Sequence, residues 1–536
     1  MSASPAGGVA PRSRRVMNLA HFLTQAAQRL PDSPALIWGD RRWNWAELER
    51  RSAALAAGLA GLGVTKGDRV LVHSKNSNEM VEVMFAAFRL GAVFVPTNFR
   101  LLPAEIVELA KTAKANLFLC HGHFPDHVAA LVAADAVRRV VRIGPGTLGE
   151  TSVAALIEAN LDRPAPTAPV DYDDPCWFFF TSGTTGKSKA AVLTHGQMAF
   201  VICNHLCDLM PGTTEHDASL VVAPLSHGAG VHMLTQVARG AVSVLLPTEK
   251  FDVDEAWRLV AQHRVSNLFT VPTILKMLAE HPSVDAHDHS SLRYVIYAGA
   301  PMYRADQELI LEKLGKVIVQ YFGLGEVTGN ITVLPPRLHE GGDGWPLEGS
   351  CGFARTGMQV SIQDAEGREL PPGETGEICV IGPAVFAGYY DNDAANQASF
   401  RDGWFRTGDL GHIDAHGFVF ITGRASDMYI SGGSNIYPRE IEEKILSHPD
   451  IAEVAVLGVP DPKWGEVGVA VCVPRTGATV NEAALLAWLD DRIARYKLPR
   501  RVMFWDALPK SGYGKVPKRL VRDELFARGE LAKPAA

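Results

Sequence analysis

The chain has 536 residues, 47% of them apolar and 21% charged, with a net charge of −7. That length calls for two or more domains, and the acidic balance excludes a general attraction to nucleic acid or an anionic membrane, so any phosphate must be held locally. The seven cysteines are scattered through apolar runs with no C-x-x-C pair, which fits reduced, buried thiols, and no run approaches the roughly 18 apolar residues of a membrane span. A cytoplasmic protein with small-molecule partners is expected.

Residues 1–16 are small and polar with Arg12, Arg14 and Arg15, and read as a disordered start. From Asn44 the chain alternates helix and strand. Asn44 and Glu47 make a capping-box pattern, Leu48, Leu55, Leu59 and Leu62 line one helical face, and Gly63 can close the helix. A strand at 70–72, a helix near 79–90, a strand at 93–95, a helix near 103–113, a strand at 117–120, a helix near 126–134 and a strand at 140–143 follow. The class is α/β with buried strands. Residues 161–175 hold four prolines and four aspartates and read as a connector to a buried strand. A second α/β stretch runs to about 335, in which Cys203 and Cys207, one turn apart around His205, read as core packing rather than a metal clip. Between about 350 and 425 short Gly-rich strands predict a small β-rich subdomain. After Arg424 the sequence restarts with a helix at 438–446, strands at 454–459 and 467–473 and a helix at 481–493, enough for a small α+β domain.

The buried run at 178–180 breaks into TSGTTGKSK over residues 181–189. Gly183 and Gly186 let backbone N–H groups approach an oxyanion, Thr181, Ser182, Thr184 and Thr185 offer hydroxyl donors, and Lys187 and Lys189 bring positive charge. A nucleotide triphosphate is the ligand suggested. Gly186-Lys187-Ser188 matches the end of a Walker loop, but its first glycine would fall at Thr181, and 190–194 reads as a strand where that loop should open a helix. A plain Gly/Ser/Thr connector is the bland alternative, and five hydroxyls with two lysines in nine residues speak against it.

Further motifs follow in order: PLSHG ending at Gly228, AGAP at 298–301, QYFGLGE ending at Glu326, WFRTGD ending at Asp409, GRASD ending at Asp427 and PKSGYGK ending at Lys515. With the phosphate loop they resemble the adenylate-forming superfamily, in particular its AMP-dependent acyl-CoA synthetases, over about residues 20–525. The resemblance implies a large adenylation domain over 17–426, binding ATP and the acyl group, and a mobile C-terminal domain over 427–536 that carries a catalytic lysine.

It also implies an ATP-dependent ligase that activates a carboxylic acid as acyl-AMP, releases pyrophosphate and passes the acyl group to coenzyme A. Thr181 to Gly186 with Lys189 would hold the β/γ-phosphates, and Glu326 a Mg²⁺ between them. Phe322 would face adenine beside Gly299, Ala300 and Pro301. Asp409 would accept the ribose hydroxyls, with Arg424 donating to the same sugar, against the alternative of an ordinary turn aspartate. Asp427 would be the hinge, Gly432 and Gly433 would let the backbone pass the pantetheine arm, and Lys515 would stabilise charge between carboxylate and α-phosphate. Lys518 reads as a solvated charge. His227 would border the acyl pocket near the reacting carboxyl, with a capped or packed histidine as its rival.

Five positions depart from the family pattern. Phe322 and Gly325 stand where Tyr and Thr are usual, which removes a hydroxyl beside Glu326, and Ser188, Ala190 and Ser426 replace Pro, Gly and Lys. The segments matching the acyl pocket are small and mostly apolar, which suits a monocarboxylic fatty or aromatic acid. Loading of a carrier-protein thiol, a luciferase-like oxygenase and an inactive acyl- or nucleotide-binding homologue are the alternative readings, and a homodimer is left open.

Overall fold

The computed structural model describes residues 13–182, 188–248, 250–300, 302–339, 349–431, 434–490, 492–511 and 515–531, with the backbone alone at Ser182 and Asn435. Contacts divide the chain into two units, one of residues 1–269, 325–330 and 382–396, the other of 270–324, 331–381 and 397–536. Both are α/β, as expected.

In the first unit a seven-stranded sheet runs in the order Thr151–Ser152, Arg139–Ile143, Leu117–His121, Arg69–His73, Val93–Thr97, Pro175–Ser182, Ser188–Thr194. All neighbours are parallel except the last pair, an antiparallel hairpin. The helix Trp45–Gly61 starts where expected, with the Asn44 side chain accepting from the Glu47 N–H at 2.8 Å. A second group of strands, Asn267–Thr270, Ala218–Val221, Val242–Leu245 and Pro34–Trp38, is parallel and ends in the antiparallel strand Arg41–Asn44. Side-chain alternation along Pro175–Ser182 sends Phe178 and Phe180 into the core with Leu71, Val95 and Phe118. Phe179 and Thr181 are thereby left on the opposite face.

In the second unit the strands Tyr294–Tyr297 and Ile318–Phe322 are parallel. They continue through Thr332–Leu334, Ser350–Ala354, Phe418–Arg424, Trp404–Ile413, Gly376–Ile381 and Gln359–Gln363, each antiparallel to the last. This is the β-rich region read between 350 and 425. A separate sheet contains Ser434–Ile436, Tyr429–Ser431, Gly465–Pro474 and Ile451–Asp461, with Arg501–Phe504 parallel beside Gly465–Pro474. It is buried on both faces: Val454 and Val456 join one core with Tyr429 and Ile441, while Ala455, Leu457 and Val459 join another with Trp505 and Leu525.

Two expectations are corrected. Cys203 and Cys207 are exposed on the helix His195–Asp208, while the other five cysteines are buried as read. Lys518 is not solvated. It is the first residue of the helix Lys518–Ala527, its side chain is 17% exposed, and it is ion-paired with Glu442 of the helix Pro438–Leu446. Among the described residues no helix is long and apolar enough to cross a membrane.

Candidate active site

The hairpin around the expected phosphate loop places Thr181 opposite Lys189 and Ser182 opposite Ser188. Gly183, Thr184, Thr185, Gly186 and Lys187 lie outside the described residues, as does the Ser182 side chain. The chain leaves the loop as a strand, and the helix His195–Asp208 begins only at its far end, where Thr194 and Gln197 form a capping box. A Walker loop opens a helix directly, so the hairpin removes that alternative.

Glu326 sits in the one-turn 3₁₀ helix Gly325–Val327 and is 5% exposed. Its Oε1 accepts hydrogen bonds from the Thr181 hydroxyl at 2.8 Å and from the Tyr389 hydroxyl at 2.8 Å. The Lys189 ammonium lies 4.8 Å from the centre of the Tyr389 ring. The turn is held further along by Gln197, whose Nε2 donates to the Thr328 hydroxyl at 3.1 Å and to the Ala384 carbonyl at 2.8 Å. Thr328 takes a left-handed φ of +51°, an unusual conformation for a β-branched residue that these contacts sustain.

Among the described residues the partners of this carboxylate are neutral hydroxyls, and no cluster of three or more His, Cys, Asp or Glu side chains could hold a metal ion. A single hard oxygen donor of this kind fits Mg²⁺, which takes one or two protein carboxylates and completes its shell with water and substrate phosphates. His227 is half-buried at the N-cap of the helix Gly228–Arg239, and its ring meets the edge of Phe179 at 4.6 Å. The packed-histidine alternative thus describes one of its contacts. Tyr389 was not legible from the sequence, because its partner Glu326 is 63 residues away and the Gly-Tyr-Tyr run at 388–390 carries no chemical signature of its own.

In the second unit Asp409 and Arg424 are cross-strand partners in the pairing of Trp404–Ile413 with Phe418–Arg424. Arg424 Nε donates to Asp409 Oδ1 at 2.9 Å, and the Asp409 N–H donates to the Thr407 hydroxyl oxygen at 3.1 Å. Asp409 is 4% exposed. Burial pushes its carboxyl above the usual aspartate range, against the opposing pull of Arg424 and Lys515, with Asp427 adding to the rise. Lys515 also approaches Gly299, which has a φ of +87°; a methyl placed on that glycine would come 3.4 Å from Lys515 Cε and 3.7 Å from Nζ. Asp409, Arg424, Lys515, Asp427 and Gly299 are thus brought into one neighbourhood. Asp427 closes a turn through its N–H to the Arg424 carbonyl. Burial lowers the Lys518 ammonium, and the Asp427 carboxylate opposes that shift. Phe322 ends its strand half-buried, and Ala300 follows Gly299 half-buried. Pro301, Gly432 and Gly433 lie outside the described residues.

A cleft of about 500 Å³ that the motifs did not indicate opens between the turn at 461–464 and Arg500 and Arg501, lined also by Val467 and Leu531. Trp464 is 38% exposed there, with the Lys463 ammonium 4.9 Å from its ring centre. The signal that could have found it is a Lys-Trp pair at the tip of an apolar hairpin.

Residues 23–390 match the family model of AMP-binding enzymes, and residues 440–515 match that of the AMP-binding enzyme C-terminal domain. The chain is 38% identical to a feruloyl-CoA synthase of an Amycolatopsis species, over 95% of this chain and 99% of that protein. It is 36% identical to an indoleacetate–CoA ligase of Aromatoleum aromaticum, over 96% and 99% of the two chains. The structure of o-succinylbenzoate coenzyme A synthetase from Bacillus subtilis in complex with ATP and magnesium superposes with a TM-score of 0.79, at 31% identity over 92% of this chain and 98% of that one. The fold and these matches define an adenylate-forming enzyme. The chain belongs to the AMP-binding enzyme family, in its acyl-CoA synthetase branch.

Proposed function

We propose that the protein is an ATP-dependent, AMP-forming acid–CoA ligase whose acid is an aromatic or arylalkyl monocarboxylate. The observation that carries this reading is the buried Glu326 carboxylate oriented by two hydroxyls beside the phosphate-loop hairpin, together with the Asp409, Arg424 and Lys515 neighbourhood. Feruloyl and indoleacetyl chemistry in two relatives over nearly their whole length favours an aromatic acid over a fatty one.

Thr181 and Lys189 would hold phosphate oxygens, with Ser182 to Gly186 supplying the loop. Glu326 would hold Mg²⁺, which when bound neutralises charge on the triphosphate. Asp409 has Oδ1 occupied by Arg424, so Oδ2 is the natural acceptor for a ribose hydroxyl, and Arg424 acts by fixing that carboxylate. Phe322, Gly299, Ala300 and Pro301 would border the adenine and acyl groups, and His227 the acyl carboxyl. Lys515 would place a compact ammonium where negative charge builds as the carboxylate attacks the α-phosphate. Coenzyme A is the acceptor that suits the Trp464 cleft, where an aromatic face lies among Lys463, Arg500 and Arg501 as an adenine with attached phosphates requires. Gly432 and Gly433 would flank the pantetheine arm, and Asp427 would be the hinge between a domain over 17–426 and one over 427–536.

The test is pyrophosphate release across cinnamic, indolic, benzoic and fatty acids, with and without coenzyme A. Release that requires acid and Mg²⁺, is fastest with an aromatic acid and leads to thioester only with coenzyme A is expected. Release with no acid would refute the ligase reading, and thioester found only on a phosphopantetheinyl carrier protein would replace coenzyme A as acceptor.

A further inference from the structure

The segment 386–390 runs antiparallel beside the strand Ser188–Thr194, joined to it by backbone hydrogen bonds and a single β-bridge. The Ala387 N–H donates to the Val192 carbonyl at 3.1 Å, the Val192 N–H to the Gly388 carbonyl at 3.0 Å, and Tyr389 bridges Ala191. Tyr389 itself is clamped by Asn396, which accepts from its N–H at 2.7 Å and donates to its carbonyl at 3.0 Å. The Phe386 N–H donates to the Glu326 carbonyl at 2.8 Å. Backbone bonds therefore fix both ends of the Tyr389–Glu326 contact before the side chains meet.

On Glu326 both described hydroxyl donors converge on the same oxygen. Two donors arriving from different strands fix the plane of a carboxylate and direct its other oxygen to a single place. The ring of Tyr389 meanwhile offers its face to Lys189. A side chain at 325 could not supply this control, because a methyl placed on Gly325 would lie 2.5 Å from the Phe179 ring and 3.0 Å from Thr181 Cγ2.

Resting on the ligase reading above, we infer that Tyr389 is a positioning residue for nucleotide-bound Mg²⁺, aiming Glu326 through its hydroxyl. Its ring sets the nearby lysine, and its hydroxyl sets the carboxylate. The two roles are separable: Tyr389→Phe keeps the first and deletes the second.

The experiment titrates wild type and Tyr389→Phe calorimetrically with the Mg²⁺ complex of α,β-methylene-ATP and with metal-free AMP. Half-reactions are measured alongside. About a tenfold loss of affinity for the Mg²⁺ complex is expected, in the range for groups that orient metal ligands, with AMP binding unchanged. The Mg²⁺ concentration for half-maximal pyrophosphate release should rise by a similar factor, while thioester formation from supplied acyl-adenylate stays within twofold. Unchanged affinity for the Mg²⁺ complex, or equal weakening towards AMP, would overturn the inference. Wild type that binds neither ligand would instead overturn the ligase reading.

Discussion

Arg424 donates from Nε to Oδ1 of Asp409 at 2.9 Å across two paired strands, so two residues singled out as ribose contacts are first of all each other's partner. The arginine side chain is 55% exposed and the aspartate side chain 6%, so the pair does not return all that burial of the carboxylate costs. That balance leaves the folded-state pKa of Asp409 raised. A raised carboxyl pKa favours the fold below the unfolded value and loses that contribution as pH rises through the folded one, so ionised Asp409 is a net burden at neutral pH. Asp409→Asn should therefore raise the Tm at pH 7.5, by a margin that shrinks towards pH 4, while adenylation falls by about a hundredfold or more, the scale for losing a preorganised polar contact. Scanning calorimetry against pH checks the first part. A lower Tm at pH 7.5 would show that the bond to Arg424 outweighs burial.

Lys515 stands beside Gly299 and within the electrostatic reach of Asp409. If its ammonium acts on charge that develops only in the transition state, its loss should appear in rate and not in binding. Lys515→Ala is expected to slow pyrophosphate release by about 10²–10³-fold while the Kd for ATP, measured by calorimetry, moves less than threefold. Equal losses in rate and affinity would assign it to ground-state binding.

Lys518, three residues on, faces the opposite situation. A cation at a helix N-terminus is opposed by the helix dipole, and this one is also buried, so the Glu442 carboxylate paired with it and the charge of Asp427 are what make it tolerable. Glu442 in turn accepts from the Val456 N–H at 2.8 Å, tying a strand to two helices. Lys518→Ala would strand that carboxylate and should cost about 3–5 kcal/mol, whereas Lys518→Met with Glu442→Met should recover most of the loss, since an apolar pair can replace a buried ion pair. Urea unfolding of the single and double variants decides it. A double variant no more stable than Lys518→Ala would mean that the bond to Val456 is the dominant contact.

What the sequence made legible and what it hid divide along physical lines. The Asn44 cap, the strand-first exit at 190–194 and the Asp409–Arg424 neighbourhood rest on local pattern or on short motifs, and sequence displays both. Tyr389 and the burial of Lys518 depend on contacts with Glu326 and Glu442, which only the folded chain brings near. Cys203 and Cys207 misled for a related reason: apolar neighbours in sequence do not say which side of a helix faces the core.

Gly325 is where these two kinds of information meet, because the motif reads as the loss of a threonine hydroxyl and the packing gives a reason for it. Phe179, 6% exposed and braced edge-on against His227 at 4.6 Å, occupies the space a side chain at 325 would need. Restoring the family's residue should therefore harm the protein. Gly325→Thr is expected to destabilise by about 1–3 kcal/mol, as overpacking of a rigid site does, and to slow adenylation by displacing the turn that carries Glu326. Adding Phe179→Val removes the obstructing ring, so the double variant should be more stable than the sum of the two single changes predicts. A double-mutant cycle by thermal and urea unfolding measures that coupling. Strict additivity would mean that the turn, rather than the ring, yields to the new side chain, and that Gly325 and Phe179 are independent features of this chain.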